Sequence, residues 1–76
     1  MELKDFIENF AAQFEETDPS LIKAQTKFRE LEEWSSLMAL SVIAMADDEY
    51  EVQLKGDDIK NSTTVEDLYD IIKSKI

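Results

Sequence analysis

A chain of 76 residues carrying 18 acidic and 8 basic side chains, a net charge of −10, is long enough for one small domain, 1–76, with a modest core. It has no histidine and no cysteine, which excludes disulfides, thiolate or imidazole metal sites, and any Ser-His-Asp or Cys-His mechanism within the chain. The charge repels nucleic acid and anionic lipid and suits partners with basic patches, while 43% hydrophobic residues with a single Gly and a single Pro favour a globular helical chain over a disordered or β-rich one.

The first element expected is a helix over 2–16. Leu3, Phe6, Ile7, Phe10 and Phe14 recur at the spacing of one helical face, with Glu2, Asp5, Glu8, Gln13 and Glu16 pointing away. Thr17-Asp18-Pro19 ends it, because proline disfavours a helical residue before it. Positions 17–34 have no long periodicity. Leu21, Ile22, Phe28, Leu31 and Trp34 are the apolar anchors expected to pin this connection, with a helical turn around 27–33. A second helix is expected from Ser35 or Ser36 to about Tyr50, with Leu37, Leu40, Ile43 and Ala44 as its inner stripe and Met38, Val42 and Met45 widening the apolar face. Asp47, Asp48, Glu49 and Glu51 crowd its end, where acids oppose the helix dipole.

Val52 and Leu54 flank Gln53 in a stretch too short for a paired strand, read as a packed loop. Gly56-Asp57-Asp58 offers a turn, with Asp57 or Asp58 capping a short third helix. Thr63 with Glu66 three residues later fits a capping box for the last helix, whose buried face is Val65, Leu68, Tyr69 and Ile72. The sum is an all-α fold: three main helices and one short one around a single core, an antiparallel bundle. No signal peptide is visible in MELKDFIENF, and the longest apolar run, 37–46 broken by Ser41, is too short to span a bilayer. A cytoplasmic monomer that binds neither membrane nor nucleic acid is the resulting expectation.

If this chain carries chemistry, the serine pair at the start of the second helix is the place for it. A helix N-terminus offers free N–H groups and a partial positive charge, which suit a phosphate. The plain alternative is that Ser35 or Ser36 is only a cap. The adjacent carboxylates Asp47-Asp48 and Asp57-Asp58 do not make an enzyme, since acid–base work needs a closed pocket and so small a chain offers little room for one. No calcium-binding D-x-[DN]-x-[DN]-G loop occurs. Catalytic and metal-ligating residues are therefore expected to be absent.

From Ser36 onward, SLMALSVIAMADDEYEVQLKGDDIKNSTTVEDL resembles the acyl carrier protein family. In that family a D-S-L motif opens an apolar helix that ends in acidic residues and an aromatic. A short loop, an acidic third helix and T-T-V before the fourth helix follow. Ser36-Leu37 matches the S-L, Asp47-Asp48-Glu49-Tyr50 the acidic–aromatic end, Val52 and Leu54 the loop, and Thr63-Thr64-Val65 the last helix start. Phe28, Leu31 and Trp34 are similar to the F-x-x-L-x-x-W found before D-S-L in one branch of stand-alone carriers. The resemblance implies an acyl-carrier-like four-helix bundle, not an enzyme, with 4′-phosphopantetheine attached covalently to Ser36 between Ser35 and Leu37. It implies delivery of acyl thioesters in fatty-acid or related metabolism. The implied partners are a phosphopantetheinyl transferase and acyl-transferring enzymes with basic docking patches. Ser35 stands in place of the family's Asp, and Met38 and Ser41 stand where many members have docking acids. The negative surface is displaced to Asp47, Asp48, Glu49, Glu51, Asp57 and Asp58. An unmodified adaptor bundle and an aminoacyl or peptidyl carrier are the alternatives.

Overall fold

Helix α1 (Leu3–Ala11) forms where the apolar side chains recur at helical spacing in the computed structural model, which describes residues 2–76. Phe6 and Phe10 are fully buried, and Leu3 and Ile7 pack partly buried beside them. The helix stops at Ala11, short of the expected 16. Beyond Ala11 the chain tightens, the N–H of Gln13 donating to the Phe10 carbonyl (3.1 Å) and that of Phe14 to the Ala11 carbonyl (3.0 Å), so Phe14 still reaches the core. The next three N–H groups then leave the helical pattern altogether. Those of Glu15 (2.8 Å), Glu16 (3.0 Å) and Thr17 (2.9 Å), with the Thr17 hydroxyl (2.8 Å), all donate to the Glu33 carboxylate. An acceptor charge aimed at three consecutive donors outcompetes helix propagation.

The long connection carries two 3-10 turns, Pro19–Leu21 and Phe28–Glu30. Asp18 starts the first by accepting the Ser20 N–H at 2.9 Å. Ile22 and Phe28 are buried and Leu31 and Trp34 partly so, but Leu21 is 64% exposed and is not an anchor. Ile22, which follows it, is extended, and neighbours in extended chain face opposite ways. The helical turn expected over 27–33 is confined to 28–30. The carbonyls of Thr26 and Ala24 accept the N–H groups of Val65 (3.1 Å) and Glu66 (2.9 Å), so the connection satisfies donors of the last helix that have no helical partner.

Helix α2 (Ser36–Tyr50) has the expected span, but its buried face differs. Val42, Met45 and Ala46 are buried, whereas Leu37 is 74% exposed, Leu40 61% exposed and Ala44 exposed; Ile43 is only partly covered. Positions 36–46 hold no charged side chain, so periodicity could not choose the face, and packing chose 42, 45 and 46. Glu51 ends the helix in the left-handed conformation, φ +55°, its N–H donating to the Asp47 carbonyl at 3.0 Å. Val52 and Leu54 are buried and Gln53 exposed, as read from their alternation.

Helix α3 (Gly56–Lys60) is preceded by Lys55 at the N-cap, not by Asp57 or Asp58. Asp58 acts from the third helical position, its carboxylate accepting the Lys55 N–H at 2.9 Å. Helix α4 (Val65–Ser74) buries Val65, Leu68, Tyr69 and Ile72 as expected. Its capping box is shifted by one residue. Thr64 accepts from the Asp67 N–H (3.2 Å), and Asp67 accepts from the N–H groups of Thr63 and Thr64 (3.0 Å each). Glu66, the expected partner, instead accepts from Gln25 Nε2 at 2.9 Å.

The described residues are thus all-helical, a four-helix bundle with one short helix. Its centre is aromatic. Phe10 lies 5.5 Å from Phe28 and 5.4 Å from Phe14 between ring centroids, and it stacks on Trp34 at 6.4 Å. Phe28 meets Trp34 edge-on at 4.9 Å, and Phe6 touches Tyr50 and Tyr69. Each such pair adds about 0.5–1.5 kcal/mol beyond its burial. Asn9 Nδ2 donates to the Tyr50 hydroxyl at 2.8 Å, joining α1 to the end of α2.

Two stability predictions follow from these contacts. Glu51→Gly removes the penalty for a side chain at positive φ, about 1 kcal/mol, and should raise Tm by a few degrees in a thermal melt; an unchanged or lower Tm counts against strain at this cap. The N–H of Glu15, helped by Thr17 and Glu16, holds the Glu33 carboxyl below the usual carboxylate range. A depressed folded pKa stabilises above the unfolded value, and that contribution is lost as pH falls through the folded one. Glu33→Gln should therefore lower Tm at about pH 7, and the gap from wild type should close towards about pH 3. A gap that stays constant over that range excludes the ionised form as the stabilising species.

Candidate functional site

Four consecutive residues build the approach to α2, and the first three each have a different partner. Glu33 is held by the backbone after α1, and Trp34 is packed against Phe10, Phe14 and Phe28. Ser35 is the N-cap, with extended backbone and its Oγ accepting the Met38 N–H at 3.3 Å. Ser36 is the first helical residue, exposed, its hydroxyl without a hydrogen-bond partner among the described residues. The Ser35 oxygen is engaged by the helix, and that of Ser36 is not. Leu37, next along, is also exposed.

The Ser36 hydroxyl sits where the free N–H groups and the dipole of α2 favour an anion. It also borders a groove of about 490 Å³ between α2 and α3. Trp34, Ala39, Leu40, Ile43 and Ile59 supply its apolar wall, and Arg29 and Lys60 its only charges. No carboxylate lines it and the chain has no histidine, so the commonest general bases are missing from the groove.

The acids expected to meet partners are split between two elements. Asp47, Asp48 and Glu49 are exposed in the last turns of α2, and Asp57 is exposed in α3. Asp58 is partly buried and engaged inside the fold, on the Lys55 N–H and 3.5 Å from Lys75 Nζ. Arg29 and Lys60 escaped the reading of the sequence. Phe28, beside Arg29, carried the apolar signal there, and nothing in the one-dimensional pattern brings residues 31 positions apart to one groove. Among the described residues no cluster of acids could hold a metal ion, and no helix is long and apolar enough to cross a membrane.

A family model described as phosphopantetheine attachment site matches residues 5–72, from within α1 to the end of the buried face of α4. Comparison with curated proteins and with solved structures returned no match.

The two serines should separate in stability. Ser35→Ala removes a cap and should cost about 1 kcal/mol, a Tm loss of about 4–8 °C in a domain of this size. Ser36→Ala, which removes no contact, should stay within about 0.5 kcal/mol. Equal losses in parallel melts would contradict the division of roles.

Proposed function

The chain belongs to the phosphopantetheine attachment-site family, matched over residues 5–72, and from that premise we propose that it is a carrier protein with its 4′-phosphopantetheine esterified to Ser36. Covalent 4′-phosphopantetheine is the cofactor of this family. One observation supports Ser36 as the attachment residue. Of two adjacent serines at the helix start, only Ser36 has an exposed hydroxyl free of the fold, while Ser35 is occupied by the Met38 N–H.

The surroundings fit the group. Ser36 presents its oxygen at the positive end of α2, and the N–H groups of its first turn have no helical carbonyl to satisfy. When bound, the group supplies a terminal thiol that holds cargo as a thioester. The chain itself presents the attachment oxygen, keeps Ser35 from competing for it, and offers an apolar groove alongside. That groove, lined by Ala39, Leu40, Ile43 and Ile59, falls in the range of small-ligand sites. It favours acyl over aminoacyl cargo, because an aliphatic chain gains from apolar burial and a charged amine does not.

We assign the partners by the same chemistry. A phosphopantetheinyl transferase supplies the base that the site lacks. Acyl-transferring enzymes of fatty-acid or related metabolism meet the exposed Asp47, Asp48, Glu49 and Asp57 with basic patches. Leu37 and Leu40, exposed on the Ser36 side of those acids, add an apolar contact. Charge sets encounter rate and partner choice, and the leucines add affinity through burial. The chain acts as a carrier and not as an enzyme.

Intact-mass measurement tests the attachment. After incubation with coenzyme A and a transferase of broad specificity, the wild type should gain the mass of one phosphopantetheine. Ser36→Ala should gain none, and Ser35→Ala should gain it more slowly. A full increment on Ser36→Ala would sink the assignment.

A further inference from the structure

We infer that Arg29 and Lys60 form an anion clip that holds the phosphodiester of the arm at the mouth of the α2–α3 groove, an inference that rests on Ser36 as the attachment residue. The charge pattern is the first argument. The chain has 18 acidic side chains against 8 basic ones, yet the groove beside Ser36 is lined by two cations and no carboxylate. Arg29 is also anchored. Its Nε donates to the Ser62 carbonyl at 3.1 Å, and Ser62 is fully buried, with its Oγ on the Asp58 carbonyl at 2.9 Å. One nitrogen of the guanidinium is thus fixed to a rigid corner, leaving the two terminal nitrogens available to oxygen acceptors. Lys60 lines the same groove, and its side chain makes no hydrogen bond or ion pair among the described residues.

Connectivity selects the anion. A phosphate esterified to Ser36 is one bond from its Oγ, and Ser36 is itself part of the groove lining. A carboxylate at the far end of a cargo has no such fixed place. Ser35, uncharged, puts no carboxylate beside the ester, and the first-turn N–H groups of α2 add to the attraction. Arg29 and Lys60 therefore bias the arm to lie along the groove when no partner is engaged.

The test uses the holo-protein, with ³¹P NMR relaxation of the phosphodiester as readout and intact mass as the loading control. Lys60→Gln, which breaks no contact in the fold, should load normally and lower the held-to-free ratio about two- to fivefold, the scale of an exposed ion pair. Lys60→Glu and Arg29→Gln should lower it further. Moderate salt should move the wild-type signal towards that of the variants. A signal indifferent to Lys60→Gln, Lys60→Glu and salt overturns the clip while leaving the carrier assignment standing. A response seen only when the arm bears a cargo with a terminal carboxylate also overturns it, since the cations would then serve the cargo. Absence of any mass increment on the wild type removes the attachment premise itself, and the clip with it.

Discussion

The carboxylate of Glu33 is the contact on which the arrangement of the site depends. It gathers the N–H groups of Glu15, Glu16 and Thr17 and the Thr17 hydroxyl. In doing so it ends α1 and brings back the far end of a connection whose helical structure is two short 3-10 segments. Two residues separate Glu33 from Ser36. Without the clamp, the entry to α2 would hang from a segment with little regular structure. With it, Trp34 is delivered into the aromatic cluster, Ser35 falls at the cap, and Ser36 is turned outward. Several charge-assisted hydrogen bonds to one carboxylate do what a sheet or a longer helix does in larger domains.

Helix α2 shows the second constraint, which is that a small domain cannot cover every apolar residue. Positions 36–46 are uncharged all round, and the core accepts one face, Val42, Met45 and Ala46. Leu37 and Leu40 are left in solvent beside Ser36. In a carrier such exposure suits a surface that meets other proteins. The acids lie beyond it, at the helix end, so the face grades from apolar near Ser36 to negative at Asp47, Asp48 and Glu49.

The charge balance of the groove differs from that of the chain as a whole. All eight basic residues are exposed, and two of them, Arg29 and Lys60, line the groove beside Ser36, which no carboxylate lines. On the proposed function, a partner's basic patches would meet the exposed acids, and a phosphodiester on Ser36 would meet Arg29 and Lys60. The net charge of −10 carries self-repulsion across so small a body.

Much of this was legible in the order of residues. The 3.6-residue spacing of Phe6 and Phe10 marked α1, that of Val65, Leu68, Tyr69 and Ile72 marked α4, and the apolar run after Ser36 marked α2. The identity and order of those segments carried the resemblance that the family match then established over residues 5–72. Local pattern determined these features because they depend on neighbours one to four positions away. The end of α1, the choice of Thr64 over Thr63 as cap and the exposed face of α2 were decided by tertiary structure. Each turns on a distant partner: Glu33 for the N–H groups of 15–17, Gln25 for Glu66, and the packed core for Val42 against Leu40. The same holds at the site. The serine pair could be read from the sequence as a helix start, but only the fold placed Arg29 and Lys60 in one groove with Ser36, because their proximity comes from chain reversal and leaves no periodic trace.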